Sequence, residues 1–105
     1  MTAPTSAPTR QAAPVVVVEV VGDLDQSRVA RVRAQLEESL AQRPGSLVVD
    51  LTACPFVDAT ALAMLLETHR QACRMGTVLT LSGCLPRVLR LLSLTGLRRV
   101  FDLAA

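Results

Sequence analysis

Residues 15–21, VVVVEVV, form a nearly unbroken β-branched run that ends in Gly22, the pattern of a strand buried on both faces and therefore the first central strand of a sheet. Asp25 stands where an N-cap is expected. Val29, Val32, Leu36 and Leu40 then recur as one apolar helix face, with Arg31, Arg33, Glu37 and Glu38 directed elsewhere. Pro44-Gly45 stops this helix, and SLVVDL, residues 46–51, supplies a second strand, so the segment reads as a βαβ unit with parallel strands. After the loop TACPFV, the positions Leu62, Leu65, Leu66, His69 and Cys73 mark an inward helical face running to about Arg74. Gly76 closes that helix, Thr77–Leu81 reads as a third strand, and Pro86 sits at the first helical position of a third helix defined by Leu85, Val88, Leu89 and Leu92. Gly96 ends this shorter helix, and Arg98–Phe101 is expected to close the chain as a brief strand or turn.

This order predicts an α/β fold, a single domain over residues 15–105 with a mostly parallel sheet of about four strands packed against three or so helices. Residues 1–14, MTAPTSAPTRQAAP, hold three of the six prolines and no periodicity, and they read as a disordered N-terminal tail.

Composition narrows the chemistry. The chain has 105 residues, 50% of them apolar but only 2% aromatic, with no Trp or Tyr, so its core is aliphatic and an aromatic platform for bases or an aromatic cage has no material. All eleven basic residues are Arg, which removes the lysine of a P-loop, a Schiff base or a receiver domain. The net charge of +2 comes from arginines spread along the chain, a pattern that gives no support to a nucleic-acid partner. No stretch has the length of a membrane span and the N-terminus lacks a basic-then-apolar leader, so membrane insertion is not expected and the location reads as cytoplasmic. Cys54, Cys73 and Cys84 form no CxxC pair and read as reduced structural thiols, with His69 a boundary residue of its helix. Neither GxGxxG nor GxxxxGK[ST] occurs, and no base accompanies Cys54; an enzyme is not expected, nor any cofactor or metal.

In such folds, function gathers where strand ends meet helix N-termini. Two acidic loops fall there, Gly22-Asp23-Leu24-Asp25 and Val57-Asp58-Ala59-Thr60-Ala61. Asp25 and Asp58 fit N-caps, each for about 1 kcal/mol. The alternative is a carboxylate cluster of Asp23, Asp25 and Asp58 for a divalent cation. Thr60 lies near a helix N-terminus, where an added phosphate would meet the helix dipole and free N–H groups.

The succession GDLD at 22–25, LVVDLTACPFVDATAL at 47–62 and GCLPRVLRLLSLTGLRRVF at 83–101 resembles the STAS domain, specifically the bacterial anti-sigma factor antagonists, over nearly all of residues 15–102. The resemblance implies a four-stranded, mostly parallel sheet with helices on one side and a non-enzymatic role in transcription regulation by partner switching. In that family the antagonist binds an anti-sigma factor that is also a serine-protein kinase, so that a sigma factor is released. Phosphorylation of a serine in a D-S-[ST]-G-L motif then dissociates the pair. It implies partner-binding residues at Gly22, Asp23, Asp25, Asp58, Ala59, Thr60, Ala61 and Leu62, in a monomer or weak dimer.

The motif positions are held here by Asp58, Ala59, Thr60, Ala61 and Leu62. Ala59 occupies the phosphoserine position and has no oxygen to accept a phosphoryl group. Ala61 adds a methyl where the family keeps glycine, which puts close approach of a partner in question. Three readings follow: an antagonist that phosphorylation does not switch off, a displaced acceptor at Thr60 about 1.5 Å further along the helix axis, or a STAS-like scaffold in another assembly, a signalling complex or a lipid-transport system.

Overall fold

The computed structural model describes residues 14–105. Its elements are β1 (Val15–Glu19), α1 (Val29–Ala41), β2 (Ser46–Asp50), α2 (Ala59–Arg74), β3 (Val78–Ser82), α3 (Pro86–Leu94), a 3-10 turn (Leu97–Arg99) and β4 (Asp102–Ala104). The strands pair in chain order, β1-β2-β3-β4, and every pair is parallel. This is the α/β fold that the pattern predicts. The tail expected at 1–14 lies outside the described residues except for Pro14, whose carbonyl accepts the N–H of Gly45 at 2.9 Å and so belongs to the edge of the sheet.

Register explains the core. Val18, Val49, Leu81 and Leu103 stand side by side on one face, as do Val16, Leu47 and Leu79. Leu47, Val49, Leu79 and Leu81 are buried there, under Val32, Leu36 and Leu40 of α1, Leu62 and Leu65 of α2, and Val88 and Leu92 of α3. The other face carries Val15, Val17 and Val78, all exposed, with half-buried Val48, Thr80 and Ser82. Among the described residues, helices therefore cover one side of the sheet only.

Several expectations need correcting. β1 is an edge strand and not a central one, and it is not buried on both faces: Val17 is 58% exposed. A run of valines has the same composition on both sides of a pleat, so it cannot report which side is covered. On α2, Leu62 and Leu65 are buried as expected and Leu66 packs against the core, but Ala61, Met64, Thr68 and Ala72 are buried too, and Cys73 is exposed. The Thr68 hydroxyl is tolerated there because it donates to the Met64 carbonyl at 2.9 Å. Of the two forms expected for 98–101, the turn is found: the 3-10 turn and the bend after it deliver buried Phe101 against His69 with ring centroids 5.3 Å apart, and the last strand begins only at Asp102.

Candidate functional site

The two acidic loops leave the carboxyl ends of β1 and β2 and run alongside each other. Leu24 and Val57 form a parallel bridge; Leu24 N–H donates to the Phe56 carbonyl at 2.8 Å and Asp58 N–H to the Leu24 carbonyl at 3.2 Å. One turn earlier, Gly22 N–H donates to the Ala53 carbonyl at 2.8 Å. The loops are thus an extension of the β1–β2 pairing past the sheet proper.

Asp58 joins them a second time. It is the N-cap of α2, with extended backbone, and its Oδ1 accepts the Ala61 N–H at 2.8 Å. Its Oδ2 accepts the Gln26 N–H, also at 2.8 Å, from the turn after the first loop. A single carboxylate therefore caps one helix and holds the entry to another. Asp25 behaves differently from the expected helix cap. Its Oδ1 accepts the Ser27 N–H and hydroxyl, closing a turn over 25–28, and α1 begins only at Val29 with Arg28 as N-cap. The Ser27 hydroxyl, above other influences, holds the Asp25 carboxyl below its usual range.

Arg28 is the residue that sequence reasoning passes over. Its Nη1 donates to the carbonyls of Val21 at 2.8 Å and Asp23 at 2.7 Å, folding the 21–25 loop round a guanidinium. Gly22 supplies the positive φ of 88° that this curl needs. No sequence pattern announces such a contact, because an arginine three residues after an aspartate is commonplace on a helix entry. Gly83, in the loop after β3, has φ 68° and packs so close to Thr52 that a Cβ there would strike the Thr52 side chain, which fixes the third loop against the second.

The surface this frame presents is small. Ala59 and Thr60 are exposed on the first turn of α2, and Asp23 is exposed on the neighbouring loop, while Gly22, Asp25 and Asp58 are half-buried. Ala61 and Leu62 are buried, so neither displays its side chain to a partner. The Ala61 methyl points into the core and takes no space from an approaching surface, which answers the concern raised by the missing glycine.

The three aspartates do not gather into a cation site. Asp58 spends both oxygens on backbone N–H groups and Asp25 turns to Ser27; among the described residues no group of three or more His, Cys, Asp or Glu side chains is placed to hold a metal. Cys54 is buried with its Sγ 3.4 Å from the Phe56 carbonyl, and burial pushes its thiol pKa up, as it does for half-buried Cys84. A raised pKa suits an inert thiol and not a nucleophile. Among the described residues no helix is long and apolar enough to cross a membrane.

Comparison with known proteins agrees with this geometry. The model of the STAS domain family matches residues 6–105. An anti-sigma-B factor antagonist from Bacillus subtilis is 27% identical over 88 residues, covering 84% of this chain and 80% of that one. The crystal structure of an anti-sigma factor antagonist from Mycobacterium paratuberculosis superimposes with a TM-score of 0.77 at 28% identity, over 86% of this chain and 76% of the other. A sulfate transporter family protein from Wolinella succinogenes shares the fold with a TM-score of 0.73 at 22% identity, covering 91% and 82%.

Proposed function

The chain belongs to the STAS domain family, and from that premise we propose that it is a non-enzymatic partner-switching regulator, which binds an anti-sigma factor kinase and so frees a sigma factor. The observation that carries the reading is the first turn of α2. Ala59 and Thr60 are exposed there, beside the Gly22–Asp25 loop, on a frame made rigid by Asp58 and Arg28. This is where the resemblance puts the phosphorylated serine, and the relatives named as antagonists support the same role.

At that position the side chain is a methyl. Ala59 offers no oxygen, so the reaction that ordinarily dissociates the pair has no acceptor at this site, and the antagonist stays bound for as long as the partner is present. Thr60 is exposed too, but one residue of helix turns it by about 100° from the Ala59 direction. A kinase aligned on Ala59 does not meet it.

The test has two arms. The tagged protein, recovered from its own lysate, is expected to bring down a kinase of the anti-sigma type; recovery of a transporter ATPase without a kinase would instead favour the scaffold reading, for which the likeness to a transporter family protein is the support. With that kinase and ATP, the natural chain is expected to take up little phosphate, and Ala59→Ser to become a substrate. Strong labelling of the natural chain that disappears in Thr60→Ala would show that Thr60 is a displaced acceptor and that the switch is intact.

A further inference from the structure

Next to the loops lies a groove of about 380 Å³. It is lined by Phe56 and Val57 from the loop before α2 and by Leu91 and Leu94 of α3, with Val88 between them. Two features set it apart from ordinary surface. Leu94 is 77% exposed and Phe56 40%, large apolar side chains left in water at the lip of a concave site whose floor, Val88, is buried. The charged residues that line it are Arg87 and Arg90, and no carboxylate is among the lining residues.

The charge is regional. Residues 83–101 contain Arg87, Arg90, Arg98 and Arg99 and neither Asp nor Glu, although the whole chain carries only +2. Arg98 and Arg99 line a second hollow with Ser93 and Gly96 at the far end of α3. Four of the eleven arginines thus stand on α3 and just after it, Arg87 and Arg90 lining the groove and Arg98 and Arg99 lining the second hollow, with no acidic residue between them in the sequence.

We propose that this groove is a docking site for an acidic amphipathic helix of a protein partner. The groove has room for about two or three apolar anchors at helical spacing, and the flanking arginines complement carboxylates on the same helix. The occupant does not come from the chain's own N-terminus, since residues 1–13 contain one Arg and no acidic residue. The proposal stands on the groove and its charge, independent of the antagonist reading, and purified protein is enough to test it.

The experiment is a display selection against the full chain, using helical peptides of about 16 residues with leucines fixed at i, i+3, i+4 and i+7 and the remaining positions drawn from Glu, Gln, Lys and Ala. The selected pool is expected to be rich in Glu. A peptide from it, followed by fluorescence anisotropy, is expected to lose at least about tenfold in affinity against Arg87→Glu/Arg90→Glu and about fivefold against Leu94→Asp, with thermal unfolding of both variants unchanged. The double variant should select Lys in place of Glu. An empty pool, a pool without acidic bias, or binding indifferent to these substitutions overturns the proposal. Sedimentation with phosphatidylserine-containing vesicles, where peptides fail, would assign the groove to a membrane instead.

Discussion

At the scale of single residues, the site is held by two side chains whose roles differ in legibility. Asp58 is readable as a cap because it stands just before an apolar-periodic segment. Its second bond, to Gln26, spans 32 positions and leaves no trace in local pattern. The same is true of Arg28, which acts on carbonyls of its own loop only because that loop curls back. Sequence thus identifies Asp23, Asp25, Asp58, Ala59 and Thr60 as candidates but not what fastens them together. Removal of the Asp58 carboxylate loses a cap worth about 1 kcal/mol and a second charge-assisted bond worth about 1.5 kcal/mol. Asp58→Ala is therefore expected to lower unfolding free energy by about 2–3 kcal/mol in urea titration. A loss near 1 kcal/mol would mean that the link to Gln26 contributes nothing and that the two loops are held by backbone pairing alone.

At the scale of elements, the helices are the most legible part, because burial of one face leaves a 3.6-residue signature: Val29, Val32, Leu36 and Leu40 of α1 are all buried as their spacing requires. Helix ends are less so. Pro44-Gly45 is the visible stop after α1, but the chain turns one residue earlier, at Arg43, which has φ 55° while its N–H bonds to the Leu40 carbonyl. That is a position glycine normally fills, and an arginine Cβ there is strained by about 1 kcal/mol. Arg43 is exposed, so its removal gives up no buried side chain. Arg43→Gly is expected to raise stability by roughly 0.5–1 kcal/mol, equivalent to about 2–8 °C in Tm for a domain of this size. A fall in Tm would show that the guanidinium makes a contact that outweighs the strain. Strand composition fails in a different way: β1 and β2 look alike in sequence, yet one is an edge and the other central, and only the order of pairing distinguishes them.

At the scale of the whole molecule, the asymmetry of the sheet governs how substitutions should behave. β2 and β1 each place valines on both faces, and the covered face builds the core while the open face meets water. Val49 is fully buried and Val17, one strand away and on the opposite face, is 58% exposed. The same change should therefore have unequal consequences. Val49→Thr puts a hydroxyl among Leu47, Leu81 and the helices with no partner and is expected to cost about 1–3 kcal/mol. Val17→Thr keeps a β-branched strand former and trades exposed methyl surface for a hydroxyl in water, so its effect should stay within about 0.5 kcal/mol. Urea unfolding of the two variants side by side checks this. If Val17→Thr proved as damaging as Val49→Thr, the second face of the sheet would have to be covered in solution, by a second copy or by residues 1–13. In that case, concentration dependence of Tm would separate the two, since only association between copies is governed by mass action.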